Sequence, residues 1–177
     1  MSSYRSKTVE PPFAGPRWWA AAIFLAVALL AQVELFHYFR FRNAEISGVL
    51  LVVAWYAIHV DVRRAALFGL IAGICEDALS AQTGAAWTIS TTATAVVAAM
   101  LSRGFFADSI PLVAAIVVLA TLLRDAIFWS VMALQGGYPA GLGGWHLHQT
   151  LWQAALNALF VALIMLALRW KAALVSR

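Results

Sequence analysis

Six polar side chains stand inside long apolar runs of this sequence, and these are the residues that could carry chemistry. They are Glu34, Glu76, Asp77, Arg124, Asp125 and Asn157. Carboxylates act as acids, bases or ion-pair partners, arginine neutralises them, and an amide both donates and accepts hydrogen bonds. Neighbours on a helix point about 100° apart, so Glu76 and Asp77 are not two catalytic carboxylates facing one site.

The sequence contains no recognisable catalytic or metal-binding motif. Gly-x-Ser-x-Gly, His-Glu-x-x-His and a phosphate-binding loop are absent. His146 and His148 could bind a metal, but a spacing of two is not that of a helical ligand pair and no carboxylate lies nearby. Cys75 is the only cysteine, which excludes an intrachain disulfide and a CxxC site. The sequence therefore predicts a non-enzymatic protein with no metal and no cofactor.

The composition is that of a protein whose solvent is lipid. Of the 177 residues, 63% are hydrophobic and 11% are charged, and the mean hydropathy is +0.84. Soluble domains of this length carry about twice that share of charged residues. The net charge of +4 does not indicate a nucleic-acid-binding protein, because the 12 basic residues are scattered between apolar blocks. We therefore expect a lipid bilayer, and no nucleic acid, as the surroundings of this chain.

The apolar runs predict an all-α bundle of about six transmembrane helices, since one span needs about 20 apolar residues. The runs cover residues 18–36, 46–58, 65–79, 85–102, 110–134 and 149–168. They make one membrane domain, residues 18–170, between tails at 1–17 and 171–177. Basic residues precede the first run, as in a secretory signal peptide. The small residues that could form a cleavage site, Ala26-Val27-Ala28, lie inside the apolar run rather than after it, so we expect the segment to be retained as a span. The block from Gly136 to Gly144 is too rich in glycine for regular helix.

Lysine and arginine predict the orientation, because short cytoplasmic connections carry the excess of basic residues. With both termini inside, nine basic residues are cytoplasmic: Arg5, Lys7, Arg17, Arg63, Arg64, Arg103, Arg169, Lys171 and Arg177. Only Arg40 and Arg42 then lie on the outer side. We expect a multi-pass protein of a plasma membrane with cytoplasmic termini.

The depths of the six polar residues predict an intramembrane polar cluster. At about 1.5 Å per residue, Glu34, Asp77, Arg124 and Asn157 fall in one slab of the outer half of the bilayer. There Arg124 neutralises Asp77 or Glu76, and the equal depth of Arg124 and Asp77 makes them the expected pair. For Glu34 and Glu76 the simpler alternative, an end of a span that reaches water, is favoured. For Arg124 and Asp125, which lie centrally in their run, a buried role is favoured.

Small residues on the third run predict a close helix contact. Gly69 and Gly73 are four residues apart with Ala65 on the same line, so another helix can approach this stripe closely.

The order of these features resembles the MreD family of bacterial rod-shape proteins. Residues 67–80 read Leu-Phe-Gly-Leu-Ile-Ala-Gly-Ile-Cys-Glu-Asp-Ala-Leu-Ser, similar to that family's GxxxGxxxDxxS helix through Gly69, Gly73, Asp77 and Ser80. The opening Ser3-Tyr4-Arg5-Ser6, residues 125–129 and Asn157 are also similar. Departures are Ala81 in place of a glycine, a Thr83-Gly84 one residue early, and the lack of a proline near residues 43–45.

The resemblance implies a membrane scaffold of the bacterial inner membrane that serves cell shape and peptidoglycan elongation. Its expected partners are an MreC-like protein, an MreB-like filament, and a RodA-type glycosyltransferase with its transpeptidase. It also implies a fold like the substrate-binding subunits of energy-coupling factor transporters. That likeness supplies an alternative function, a vitamin-type transporter subunit with a small-molecule pocket at the polar slab, although no long polar outer loop is present to close one.

Overall fold

The protein is all-helical in the part of the chain that the structure describes. The computed structural model describes residues 16–38, 40–80, 83–102, 109–136, 141 and 143–175. The helices are α1 (Trp18–Glu34), α2 (Gly48–His59), α3 (Val62–Leu79), α4 (Ala86–Ser102), α5 (Ile110–Leu134) and α6 (Gly143–Val175), with one 3-10 turn at Phe36–Tyr38. These ranges contain no β-strand, only an isolated bridge between Phe41 and Ala44. The expected all-α fold class is confirmed.

The first five predicted runs lie within three residues of an observed helix at each end. α5 begins and ends at the predicted residues, with Pro111 in its first turn, where proline costs no hydrogen bond. α2 begins after Ser47, whose side chain accepts a hydrogen bond from the Leu50 backbone N–H.

α6 is longer than the sequence predicts. It begins at Gly143, so the expectation that the glycine block is non-helical as far as Gly144 is wrong at its last two residues. A helix of 33 residues tolerates two terminal glycines at about 1 kcal/mol each, because propagation is far less costly than nucleation. Residues 137–140 and 142 of the block lie outside the described residues, as do Ser3–Ser6, Lys7, Arg103 and Arg177.

Two helices are long and apolar enough to cross a membrane. They are α5 and residues Gly143–Lys171 of α6, each with a mean hydropathy of 2.1. α1, α2 and α4 are apolar but shorter. α3 reaches 18 residues but carries two arginines and two carboxylates.

The helices pack through small side chains. α3 and α4 make the most extensive contact, α2 packs against α1, α3 and α4, and α5 lies between α4 and α6. Alanine dominates the core, which lets helix axes approach closely without a large apolar filler. The core residues from α1 to α4 are Ala21, Leu25, Ala28, Val49, Val53, Tyr56, Ala57, Ala65, Phe68, Ala72, Ala95, Ala98 and Ala99.

The close contact predicted for Gly69 and Gly73 is confirmed, and the helix that occupies it is α4. A Cβ on Gly73 would lie 2.5 Å from Thr88 Cα and 2.8 Å from the Trp87 carbonyl oxygen. A Cβ on Gly69 would lie 3.1 Å from the Thr91 carbonyl oxygen. The obstacles are backbone atoms, which cannot turn aside as a flexible side chain can. The stripe therefore closes a helical hairpin inside this chain and is not free for another protein.

We predict that Gly73→Ala destabilises the protein by about 1–3 kcal/mol, because its methyl group collides with the α4 backbone. The matched control is Gly144→Ala, also in a helix, where nothing lies within 4 Å of an added Cβ. That control should be neutral or stabilising by up to about 1 kcal/mol, since alanine favours helix. Denaturant unfolding of the purified proteins in detergent measures both. Equal effects of the two substitutions would contradict the contact.

Candidate functional site

A buried ion pair joins α3 to α5. Arg124 Nη2 donates to Glu76 Oε1 at 2.7 Å. The two residues are 2% and 5% exposed. In a medium of low dielectric, such a pair holds only if its remaining donors and acceptors are also satisfied. Two further partners of the pair are Thr91 on α4 and Ser47 directly before α2.

Hydrogen bonds extend the pair in both directions. Glu76 Oε2 accepts from Thr91 Oγ1 of α4 at 2.9 Å, and Arg124 Nη1 donates to Ser47 Oγ at 2.8 Å. The Ser47 backbone N–H donates to Asn157 Oδ1 of α6 at 2.9 Å. Asn157 Nδ2 donates to Thr121 Oγ1 of α5 at 3.1 Å. We call the six residues Ser47, Glu76, Thr91, Thr121, Arg124 and Asn157 the polar network.

An aromatic face covers the guanidinium group. The Arg124 guanidinium carbon lies 4.4 Å from the centroid of the Trp87 ring. Trp87 in turn stacks on Phe128 with ring centroids 4.1 Å apart. Arg124 Nε has no hydrogen-bond partner among the described residues. The electron-rich ring face therefore supplies an attraction to a cation that is otherwise cut off from water.

Asp77 does not pair with Arg124, so the expected pair is wrong and the alternative with Glu76 is the one observed. Asp77 Oδ1 accepts from Thr83 Oγ1 at 2.8 Å and from the Trp87 backbone N–H at 3.1 Å. Its Oδ2 accepts from the Thr88 backbone N–H at 2.8 Å and from Thr88 Oγ1 at 2.6 Å. Asp77 points about 100° away from Glu76 around α3, towards the first turn of α4. Its charge is thus satisfied by a helix amino terminus.

Glu76 is buried, so the expectation that it reaches water is wrong. Thr91 and Arg124 make its burial tolerable, and neither partner can be read from the local sequence around Glu76. Glu34 is exposed, as the simpler alternative held, and it lies outside the polar network. Arg124 and Asn157, which are 2% and 0% exposed, are buried in it.

Asp125 lies between α5 and α6 rather than in the polar network. It is half-buried, and its Oδ2 accepts from Thr150 Oγ1 at 2.8 Å. One turn further along, the Trp129 ring lies against the His146 ring with centroids 3.7 Å apart. These two contacts align α5 and α6 antiparallel.

Neither histidine of the predicted outer region forms part of a metal site. His148 Nε2 accepts from Trp152 Nε1 at 3.0 Å, and His146 packs against Trp129. No group of three or more His, Cys, Asp or Glu side chains in the described ranges could hold a metal ion.

Sequence reasoning missed three members of the polar network: Ser47, Thr91 and Thr121. Hydroxyl residues are common in membrane helices, where they also bond to the preceding turn. Thr121 Oγ1 does so here, donating to the Val117 carbonyl oxygen at 2.8 Å. Ser47 carried a usable signal, because it stands directly before an apolar helical run.

Comparison with protein-family models, with curated proteins and with solved structures finds no match for this chain.

We predict that Glu76→Gln and Arg124→Gln each destabilise the protein by about 3–5 kcal/mol, because each leaves an uncompensated buried charge. The double substitution should cost about 1–3 kcal/mol less than the sum, since both charges are then absent. Unfolding free energies of the four proteins in detergent give the coupling. Glu34→Gln combined with Arg124→Gln is the control and should add to within about 0.5 kcal/mol, because Glu34 is exposed. Additive effects of Glu76 and Arg124 would contradict the pair.

Proposed function

We propose that this chain is a six-span membrane protein with both ends on the cytoplasmic side. Its distribution of side chains supports this. The largest fully buried side chains include Asn157, Thr91 and Thr121, whereas leucines such as Leu30 and Leu163 are exposed. Water disfavours that arrangement, and lipid favours it, because lipid covers apolar surface and the interior satisfies polar groups.

The basic residues support the orientation. Arg17 precedes α1, Arg63 and Arg64 stand in the first turn of α3, and Arg169 and Lys171 lie towards the end of α6. All five are exposed and fall on one side of a six-span arrangement. The cytoplasmic side is the one that carries such an excess.

We predict that cysteines on opposite sides react with a membrane-impermeant maleimide from opposite sides. In a Cys75→Ser background, Leu134→Cys should label in intact cells, because Leu134 ends α5 on the outer side. Arg64→Cys should label only in inverted vesicles. Leu134 is 88% exposed and the Arg64 side chain 73%, so neither is hidden by the protein. Labelling of both from one side would contradict the six-span orientation.

We further propose that the protein is a non-enzymatic, MreD-like scaffold of the inner membrane that links an MreC-like protein and an MreB-like filament to cell-wall synthases. The observation that carries this proposal is the polar network. Its groups bond to one another across five of the six helices rather than converging on an empty site. Such a network fixes the helices in one arrangement and leaves their outer faces to meet partners.

The same contacts weigh against a transporter subunit that binds a small molecule. Asn157 and Arg124 were expected to line such a pocket, and instead they are bonded to Ser47. Asp77 caps α4, and Glu34 is exposed. A ligand at the slab would therefore have to displace contacts that hold the helices together.

We predict that the host of this protein is a rod-shaped cell, that depletion of the protein produces rounded cells, and that wild-type protein restores the rods. Arg124→Gln should fail to restore them, while Glu34→Gln should succeed, because only the first disrupts the polar network. Cell width measured by microscopy reports the result, with membrane amounts of each variant quantified beside it. Unchanged shape after depletion would contradict the scaffold. A stoichiometric small molecule retained by purified protein would favour the transporter alternative.

A further inference from the structure

The turn between α1 and α2 holds an arginine at a backbone position that suits other residues better. Phe41 and Ala44 exchange both of their backbone hydrogen bonds, at 3.0 and 2.9 Å, across Arg42 and Asn43. The φ angles of these two central residues are 50° and 65°. Glycine occupies this left-handed region freely, whereas a long side chain such as that of arginine makes it costly. The turn itself gains nothing from arginine, so the Arg42 side chain is the feature that the turn presents.

Two contacts with α6 hold this turn in place. Gln149 Nε2 donates to the Asn43 carbonyl oxygen at 3.0 Å. The Phe41 ring lies nearly perpendicular to the Trp152 ring, with centroids 5.3 Å apart. The indole is itself oriented, because its Nε1 donates to His148 Nε2 at 3.0 Å. The turn and the tryptophan therefore form one fixed surface.

The Arg42 guanidinium lies over this indole with its donors unused. Its central carbon is 4.7 Å from the centroid of the Trp152 ring and 5.8 Å from that of Phe41. Within the described ranges, Arg42 forms no hydrogen bond and no ion pair. Arg40 differs, because Glu45 neutralises it. A ring occupies one face of a guanidinium and leaves the N–H groups on its edge free for a planar acceptor.

The depth of Trp152 places Arg42 near the phosphates of the outer leaflet. Trp152 lies about 25 Å along α6 from Arg169, and Glu34 lies about as far along α1 from Arg17. If these arginines mark the inner boundary of a hydrocarbon core of about 30 Å, Trp152 lies within about 5 Å of the outer boundary. Indole rings favour that level. The abundant anion there is the headgroup phosphate, which an arginine side chain reaches by extending along its apolar stem.

The face of α6 below Trp152 offers an apolar path to the same lipid. Leu159 and Leu163 follow Trp152 by two and three turns, and both lie within about 20° of it around the helix. Both leucines are exposed. A lipid whose headgroup meets Arg42 can therefore lay an acyl chain along α6, a second contact that inorganic phosphate lacks.

We propose that Arg42, held over Trp152, binds the phosphate of an anionic phospholipid headgroup in the outer leaflet. Two phosphate oxygens accept from two guanidinium N–H groups at once, and the negative charge neutralises a cation that has no carboxylate partner in the described structure. This inference rests on the six-span arrangement proposed above and does not depend on the scaffold role.

The first test titrates the full-length protein in mild detergent with phosphatidylglycerol and measures the lipid-bound fraction by native mass spectrometry. Arg42→Gln should weaken the apparent affinity about tenfold, because it removes the cation and its paired donors. Arg40→Gln is the matched control, since it changes the net charge equally but removes an arginine that Glu45 already neutralises. Its effect should be about threefold at most. Equal losses in the two variants would show a diffuse attraction and overturn the proposal.

The second test asks whether the stacked geometry matters. Arg42→Lys keeps the charge and should still bind about fivefold more weakly, because an ammonium group lacks the planar fork. Trp152→Leu keeps Arg42 and should weaken binding about threefold, because the supporting ring is gone. Trp145→Leu is the control, a half-exposed tryptophan of the same helix that should leave binding unchanged. Thermal unfolding without lipid checks that each variant is folded. Full affinity in both Arg42→Lys and Trp152→Leu would overturn the site.

The third test distinguishes a lipid from a free anion. Millimolar inorganic phosphate should leave phosphatidylglycerol bound, since only the lipid has the acyl-chain contact. Displacement of the lipid by that phosphate would overturn the assignment to a phospholipid. Phosphatidylcholine should bind about tenfold more weakly, because its headgroup carries its own cation. Equal affinity for the two lipids would overturn the recognition of charge.

The outcome is separable from that of the proposed function. Maleimide labelling judges the six-span arrangement, and cell width after depletion judges the scaffold. Binding of phosphatidylglycerol that ignores Arg42, with both of those results as predicted, would remove this inference alone. Binding that requires Arg42, in cells whose shape never depended on the protein, would uphold this inference and remove the scaffold.

Discussion

The positive charge of Arg124 is the constraint on which the rest of the bundle depends. An arginine in the middle of an apolar helix must find an anion, fill its other donors and be shielded from lipid. Glu76, Ser47 and the Trp87 ring meet these needs from three other parts of the chain. This one side chain thereby joins α5 to α3, to α4 and to the residue that precedes α2. A bundle held by directional bonds to a charge has few alternative packings, whereas apolar helices in lipid slide easily.

The α3–α4 hairpin illustrates how close packing and polar capping act together. Gly69, Gly73 and Asp77 lie four residues apart on one face of α3. The glycines let the α4 backbone approach, and the carboxylate receives the N–H groups at its start. The glycine stripe and the Asp77 carboxylate depend on each other. A bulkier stripe would move Trp87 and Thr88 out of reach of Asp77, and without the carboxylate the first N–H groups of α4 would lack acceptors.

The helices of this protein are readable from its sequence, and the contacts between them largely are not. Hydropathy fixes where α1 to α5 lie because each apolar run is bounded by charged or turn-forming residues. The buried Arg124 and the glycine stripe were also found, since charges in apolar runs and small residues four apart carry their own signal. The choice between Glu76 and Asp77 as the partner of Arg124 was not, because it depends on rotation about α3. Thr91 and Thr121 were missed because a hydroxyl group looks the same in sequence whether it bonds to its own turn or to another helix.

The residues of the polar network are also synthesised in a definite order. Glu76 is synthesised 48 residues before Arg124, while Thr91 follows it by only 15. As the chain leaves the ribosome, the carboxyl of α3 has the hydroxyl of α4 as its first partner and receives its counter-charge only when α5 arrives. The Ser47 backbone N–H receives its acceptor later still, since Asn157 follows Ser47 by 110 residues. α6 is synthesised after the other five helices and supplies the bond to the residue that precedes α2, so the polar network is incomplete until the chain has been made as far as Asn157.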